Sequence, residues 1–304
     1  LAMYLWGQKA LLGDHCMKPA APQTNYWVPV AMVTAMVLFL VGGAMEFNGF
    51  DIRGMIPNWA YVTAAILTAI WLVYAYAAKP EKSNLTHVEK QRIAVIFIMV
   101  FFAIFFWTAF EQAGSSLTLF AERETNRNLS LFGWSFLVPA GWFQSLNPLF
   151  IVLLAPFFSG MWIKLAETKR EPSSPVKFAI ALGLLAVGFV VMIAAAAAYQ
   201  QNGPVSMLWL VGAYLFHTLG ELCLSPVGLS LVTKLAPLQF GSLMMGVYFL
   251  SSVAAGLLGG QLAGNYDTIN HMKFYMIPTA TGLGAALLLL LITPKLRKWM
   301  HGIH

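Results

Sequence analysis

Eight runs of about twenty or more mostly apolar residues follow one another along this chain, at roughly 26–45, 59–78, 93–120, 142–163, 177–199, 207–235, 240–264 and 274–293. A run of that length crosses the hydrocarbon core of a bilayer as a helix. Within lipid each backbone polar group has to be bonded inside the protein, which leaves helices or closed barrels as spanning structures. Only 10% of the residues are charged while 59% are hydrophobic, against about a quarter charged in a soluble domain. No soluble core could bury so much apolar surface, so the expected fold class is an all-α integral membrane protein. The opening LAMYLWGQKALLGD has no initiator Met and no basic start before an apolar run. It reads as the end of a helix and its exit loop, a truncated ninth span before Gly7, and the chain is expected to start inside a longer protein.

The charges fall between the apolar runs. Counted alternately across the membrane, fourteen Lys and Arg lie on one side, among them Lys9, Lys79, Lys164, Lys234 and Lys298, and four on the other, Arg53, Arg123, Arg127 and Lys273. The positive-inside rule makes the first side cytoplasmic, which puts the C-terminal tail KLRKWMHGIH there and implies a multi-pass cell-membrane protein. With the net charge of +6 distributed over short loops, nucleic acid is not an expected partner. The polar linker KPEKSNLTHVEKQR separates two spans from six. The expected organisation is the end of a preceding helix over 1–8, a two-helix unit with its loops over 9–92, and a six-helix bundle over 93–304.

Glutamates inside membrane-length runs stand out from this background. A charge at the bilayer centre costs about 2.5–3.5 kcal/mol on insertion scales and normally faces a cavity or a partner. Glu111 follows FFAIFFWTAF, four residues after Trp107 and next to Phe110. Aromatic walls could desolvate that acid and make it able to exchange protons near neutral pH; the alternative is a glutamate bonded to a neighbouring helix. Glu221 lies between His217 and Ser225 at i, i+4 and i+8, a spacing that sets all three on one helix face. A substrate or proton role competes here with a structural ion pair to another helix, and for His217 with an interhelical hydrogen bond. In GWFQSLNPLF, Gln144 and Asn147 are uncharged hydrogen-bonding groups at the start of a span; they either hold helices together or, with Glu221, bind a polar zwitterion.

Gly256, Gly260 and Gly264 recur every fourth residue, as do Ala255, Gly259 and Ala263, a spacing that lets helices approach closely in lipid. Pro148, Pro156, Pro226 and Pro278 each remove a backbone donor, and a kink at Pro226 would place a bending point beside Glu221. Cys16 and Cys223 form no CxxC or metal-ligand spacing. The chain has no GxSxG, HExxH or Walker loop and no paired metal ligands. Neither an enzyme nor a metal or cofactor site is expected.

The strings FFWTAFEQ with SSLTLFA, FQSLNPLFI, GELCLSPVGLSLVTKLAP and MMGVYFLSS resemble the proton-dependent oligopeptide transporter family of the major facilitator superfamily. The opening YLWGQKALLG looks like the end of that family's sixth helix. The resemblance covers essentially the whole chain. It implies a C-terminal six-helix bundle preceded by a two-helix linker hairpin, in a proton-coupled symporter of di- and tripeptides working by alternating access. It further implies that Glu111 is the proton-coupling acid, that Asn147 and Glu221 hold the peptide amino terminus, and that Trp107 and Phe110 line the side-chain pocket. Ser225 then lies lower on the same helix as Glu221. Tyr248 stands where members often have Trp. The first-helix ExxER motif and the basic residues that face the peptide carboxylate are absent from these residues, so the implied partners are a peptide, the lipid bilayer, protons as coupling ion and an N-terminal six-helix half. The alternatives are a transporter of another small solute, nitrate or a drug-like molecule, and a non-transporting membrane scaffold or receptor.

Overall fold

The computed structural model describes residues 85–131 and 134–303. The expected spans at 26–45 and 59–78, the truncated helix before Gly7, and Cys16 lie outside the described residues.

The described chain is helical and built to cross a membrane. Its long helices are apolar on every side, the pattern of an element surrounded by lipid and other helices. Six segments have the length and composition of membrane spans: His87–Arg123, Ala140–Glu167, Ser174–Asn202, Leu208–Leu235, Leu238–Ala263 and His271–Trp299. They coincide with the last six apolar runs of the sequence.

The first of these is not one helix, as the uniform run 93–120 suggests. Helix α1 (His87–Phe110) gives way to a single 3₁₀ turn over Glu111–Gly114, and α2 (Ser116–Arg123) resumes the path. The apolar period runs straight through this point and gives no warning. The break is held by side chains that take over the missing backbone bonds, as described below. The remaining helices are α3 (Leu146–Glu167), α4 (Ser174–Asn202), α5 (Leu208–Leu235), α6 (Gly241–Ala263) and α7 (His271–Trp299).

Local signals explain the ends. Thr86 and Glu89 form a reciprocal capping box at the start of α1. Asn270 caps α7 by accepting from the amides of Met272 and Lys273. Gly203, at φ +77°, stops α4 in a conformation that favours glycine. Pro148 sits in the first turn of α3, where no helical amide partner is lost, and α5 runs through Pro226 without interruption.

Helix α4 packs along both α5 and α7, α1 packs along α6, and α3 leans mainly on α5. The α4–α5 seam is close because of two glycines. A side-chain carbon at Gly220 would stand 2.8 Å from the Ala181 carbonyl, and one at Gly188 would strike the His217 ring. Of the two small-residue rows on α6, Ala255 and Gly259 are buried, with Gly259 against α1. Gly256 and Gly260 are exposed and meet nothing among the described residues.

At one end of the bundle, β1 (Thr125–Asn126) pairs in parallel with β4 (Val205–Ser206), Thr125 opposite Val205. Beside them β2 (Asn128–Leu131) and β3 (Trp134–Leu137) form an antiparallel hairpin. At the other end Lys177 Nζ bonds Glu171 at 2.5 Å and lies 4.3 Å from the centre of the Trp162 ring, closing the α3–α4 loop.

Candidate functional site

Two polar places interrupt the apolar bundle. The first is the break in the α1–α2 span. Gln112 is fully buried. Its amide nitrogen donates to the Gly259 carbonyl of α6 at 3.0 Å and to the Thr108 carbonyl at 3.4 Å. Its oxygen accepts from the Ser116 hydroxyl at 2.9 Å. Tyr214 of α5 donates to the Ala113 carbonyl at 3.0 Å. Carbonyls freed by the broken helix are thus satisfied by side chains, which is what lipid-embedded irregular backbone requires. Gly259 makes the approach possible: a carbon there would stand 3.2 Å from the Thr108 carbonyl and 3.3 Å from the Glu111 Cβ.

Glu111 itself opens the 3₁₀ turn and is exposed. Its carboxylate has no hydrogen bond or ion pair among the described residues. The desolvation anticipated from its aromatic neighbours is therefore not supplied by this part of the chain. Those aromatics instead pack on one another. Phe106 contacts Trp107 edge-on at 5.3 Å and stacks with Phe110 at 5.7 Å; Trp107 meets Phe110 at 5.4 Å. Trp107 and Phe110 remain half-buried, so each keeps a free surface.

The second place is the α3–α5 contact. Asn147, in the first turn of α3, donates from Nδ2 to Glu221 Oε2 at 2.7 Å and to Thr218 Oγ1 at 3.2 Å. Thr218 spends its own proton on the Tyr214 carbonyl at 2.8 Å, so it can only accept from Asn147. That fixes the amide: both hydrogens of Nδ2 are committed, and Oδ1 accepts no hydrogen bond among the described residues. Glu221 is half-buried and meets no cation among the described residues. Its second oxygen is likewise unbonded. One carboxylate oxygen and one amide oxygen that accept no hydrogen bond among the described residues suit a group with several N–H bonds and a positive charge.

The shared face expected for His217, Glu221 and Ser225 is divided. His217 is buried against α4, its ring 4.6 Å from Phe189 and over Gly188, with both nitrogens unpartnered among the described residues. Glu221 turns to α3. Four residues advance a helix by about 40° beyond a full turn, enough for successive members of such a row to meet different neighbours. Ser225 Oγ is buried without a partner among the described residues. Tyr248 of α6 is buried beside Trp107, its hydroxyl over Gly228 and without a hydrogen bond among the described residues. Gln144 bonds Thr118 at 3.0 Å and joins α2 rather than the Asn147–Glu221 pair. Thr218 and Gln112 were not singled out in the sequence. Thr218 stands three residues before Glu221, a helical-neighbour spacing that could have flagged it.

A polar pair on one flank of a membrane-type six-helix bundle and an acid without a partner among the described residues are features suited to a membrane transporter. Residues 59–277 match the sequence profile of the POT family, and the chain belongs to that family. It is 38% identical to the peptide transporter YePEPT of Yersinia enterocolitica over 283 residues, which are 90% of this chain and 53% of that protein. It is 31% identical to a di-/tripeptide transporter of Lactococcus lactis, covering 90% of this chain and 53% of the relative. The crystal structure of a POT family transporter in complex with a thioalcohol-conjugated peptide superimposes with a TM-score of 0.73 at 25% identity, over 97% of this chain and 60% of that one. The chain thus spans about half the length of the curated relatives it matches.

Proposed function

We propose that this chain forms the C-terminal half of a proton-coupled symporter of di- and tripeptides. The observation that carries the reading is the Asn147–Glu221 pair, with one unbonded carboxylate oxygen, one unbonded amide oxygen and no cation partner among the described residues. A peptide ammonium has three donors and one charge, and it matches that pair. The names of the relatives and membership of the family point to the same substrate class.

In this reading the peptide lies near the bilayer midplane between this bundle and an N-terminal six-helix half, and the two halves rock around it. Its amino terminus docks on Glu221 and Asn147. The free faces of Trp107 and Phe110 offer apolar contact to its side chains, with Tyr248 buried behind Trp107 as support. Glu111 is exposed on this bundle and pairs with a cation of the other half. Protonation breaks that pairing and releases the rocking motion, which couples the proton to the peptide. Ser225 and Gln144 flank the site at different depths. The proton is the only coupling species the scheme requires. The two-helix unit ahead of α1, expected over 9–92 but ending before the Thr86 cap because His87 already opens α1, is a linker hairpin, the membrane is a bacterial inner membrane, and the C-terminus lies in the cytoplasm by the loop charges.

The test is uptake by the complete protein in vesicles. An inward proton gradient should drive accumulation of labelled dialanine, and unlabelled di- and tripeptides should compete with it. Accumulation of nitrate instead, or no gradient-driven accumulation of either solute by folded protein, would contradict the reading.

A further inference from the structure

The β2–β3 hairpin has two different faces. Its register sets Leu129 opposite Phe136 and Ser130 opposite Ser135. Residues two apart on a strand share a face, so Trp134 joins Leu129 and Phe136 on one side. The other side carries Asn128, Ser130, Ser135 and Leu137, the last over a cleft of about 440 Å³ lined also by Thr125, Asn126, Arg127, Asn128 and Pro204. The apolar side has no cover among the described residues: Trp134 is 83% exposed, Phe136 47% and Leu129 44%. A two-stranded ribbon with an uncovered aromatic face is at best marginal in water, and such a face marks an interaction surface.

The neighbours of the hairpin say what covers it. Phe136 contacts Trp142, ring centres 5.6 Å apart, and Trp142 is itself 59% exposed. Trp142 stands in the turn that opens the α3 span. From there the exposed apolar surface continues down α3 through Leu149, Val152 and Leu153, on the side of the helix away from Asn147 by helical period. The hairpin's apolar face is therefore continuous with the exposed apolar surface of α3. It stands at the end of an apolar span, and Trp is a residue favoured at membrane–water boundaries. Arg127, at the root of the hairpin, is anchored by donating to the Val138 carbonyl at 2.8 Å and brings a positive charge to the level of the lipid phosphates.

We propose that the β2–β3 hairpin is an interfacial membrane anchor, its Leu129–Trp134–Phe136 face and Trp142 lying in the boundary between lipid headgroups and acyl chains. The hairpin is then a float attached to the start of α3. It holds the depth of the helix that carries Asn147.

The test is spin labelling of the full-length, otherwise cysteine-free protein in phosphatidylethanolamine–phosphatidylglycerol vesicles. Labels are placed singly through Leu129→Cys, Ser130→Cys, Trp134→Cys and Ser135→Cys. Collision with oxygen reports lipid, and collision with a water-soluble nickel chelate reports water. The ratio of oxygen to nickel collisions should be severalfold higher at 129 and 134 than at 130 and 135. High nickel collision at all four sites would place the hairpin in water and overturn the proposal. Low collision with both reagents at 129 and 134 would show the face covered by protein, such as the other half of the transporter, and would overturn it equally. Neither reading depends on peptide transport.

Discussion

Glu124 and Glu221 are both acids set into helix contacts, and they differ in what their surroundings give them. Glu124, just past α2, is 2% exposed. Its Oε1 accepts from the Tyr266 hydroxyl at 3.0 Å and pairs with His271 Nδ1 at 2.7 Å, and Tyr266 stacks flat on His271 at 4.3 Å. Arg123 and Asp267 pair beside it at 2.5 Å. Among the described residues Glu221 has one neutral donor, no cation and an oxygen without a hydrogen bond. The first acid is buried and paired through Oε1 with Tyr266 and His271, which ties α2 to α7, while its Oε2 is buried without a partner among the described residues. The second is left open. Neighbouring positions repeat the contrast: Gln112 is buried and bonded on both ends of its amide, while Glu111 beside it is exposed and unpaired. Polar groups in lipid are either satisfied within the bundle or aimed at something outside it. By that rule Gln112 and the His271-paired Glu124 read as structural, and Glu221 and Glu111 are the acids proposed to act in transport.

The largest effect should come from the open pair. Glu111→Gln mimics the protonated acid permanently. Proton-driven accumulation by the complete transporter should be abolished while peptide counterflow persists, because exchange needs no net proton cycle. Accumulation at the wild-type level by well-folded Glu111→Gln protein would end its role as the coupling acid.

The closed residues should fail in stability instead. Gln112→Leu removes the donor to the Thr108 and Gly259 carbonyls and the acceptor of the buried Ser116 hydroxyl, which costs about 1–3 kcal/mol for each buried polar group left bare. The melting temperature in detergent should fall clearly. If it holds while transport is lost, Gln112 belongs with the functional set and the contrast breaks.

Glu124 sharpens the comparison through pH. Burial raises its carboxyl above the usual range, and the charge of His271 and the Tyr266 hydrogen bond offset this only partly. The folded state then holds the proton to higher pH than the unfolded one. Its contribution is most favourable when the acid is protonated in both states, and stability is lost as pH rises from the ordinary carboxylate value through the raised one. Glu124→Gln should remove that slope, so that the difference in melting temperature between variant and wild type shifts in favour of the variant as pH rises through this window. A difference that does not change with pH would show that the Glu124 carboxyl titrates alike in the folded and unfolded states.

The smallest effect is expected at Tyr248. Its buried hydroxyl has no partner among the described residues, so Tyr248→Phe removes a desolvated group without breaking a bond. Stability should stay level or rise by up to about 1 kcal/mol, with peptide affinity unchanged. A marked loss of affinity would make the hydroxyl a direct ligand.

Much of this fold was legible in the chain, because lipid imposes a simple rule of length and apolarity that the last six runs obey. Glu111, Asn147 and Glu221 also stood out, since each is polar where polarity is costly. What escaped reading depended on neighbours. The break after Phe110 carries no change of period; only Gly114 and the pair Ser115–Ser116 hint at it, and its support comes from Gly259, far along the chain. His217 and Glu221 share a face in projection, but which helix lies on which side of α5 is set by the packing of α3 and α4. The hairpin did leave a signal in NLSLFGWSFL, where apolar residues alternate on both sides of Phe-Gly, yet that signal is short beside the long apolar runs around it.

The central claim is that Glu221 is left open to receive an ammonium. Its direct measurement is the affinity of a dipeptide and of its N-acetylated form for the complete transporter, wild type against Glu221→Gln, by competition in vesicles. Loss of a charge-assisted hydrogen bond costs about 1.5–3 kcal/mol, roughly ten- to a hundredfold in Kd. The account predicts that loss for the free peptide and almost none for the acetylated one, which has no ammonium to place. An unchanged affinity for the free peptide, or an equal loss for both forms, would contradict it and make Glu221 a structural acid like Glu124.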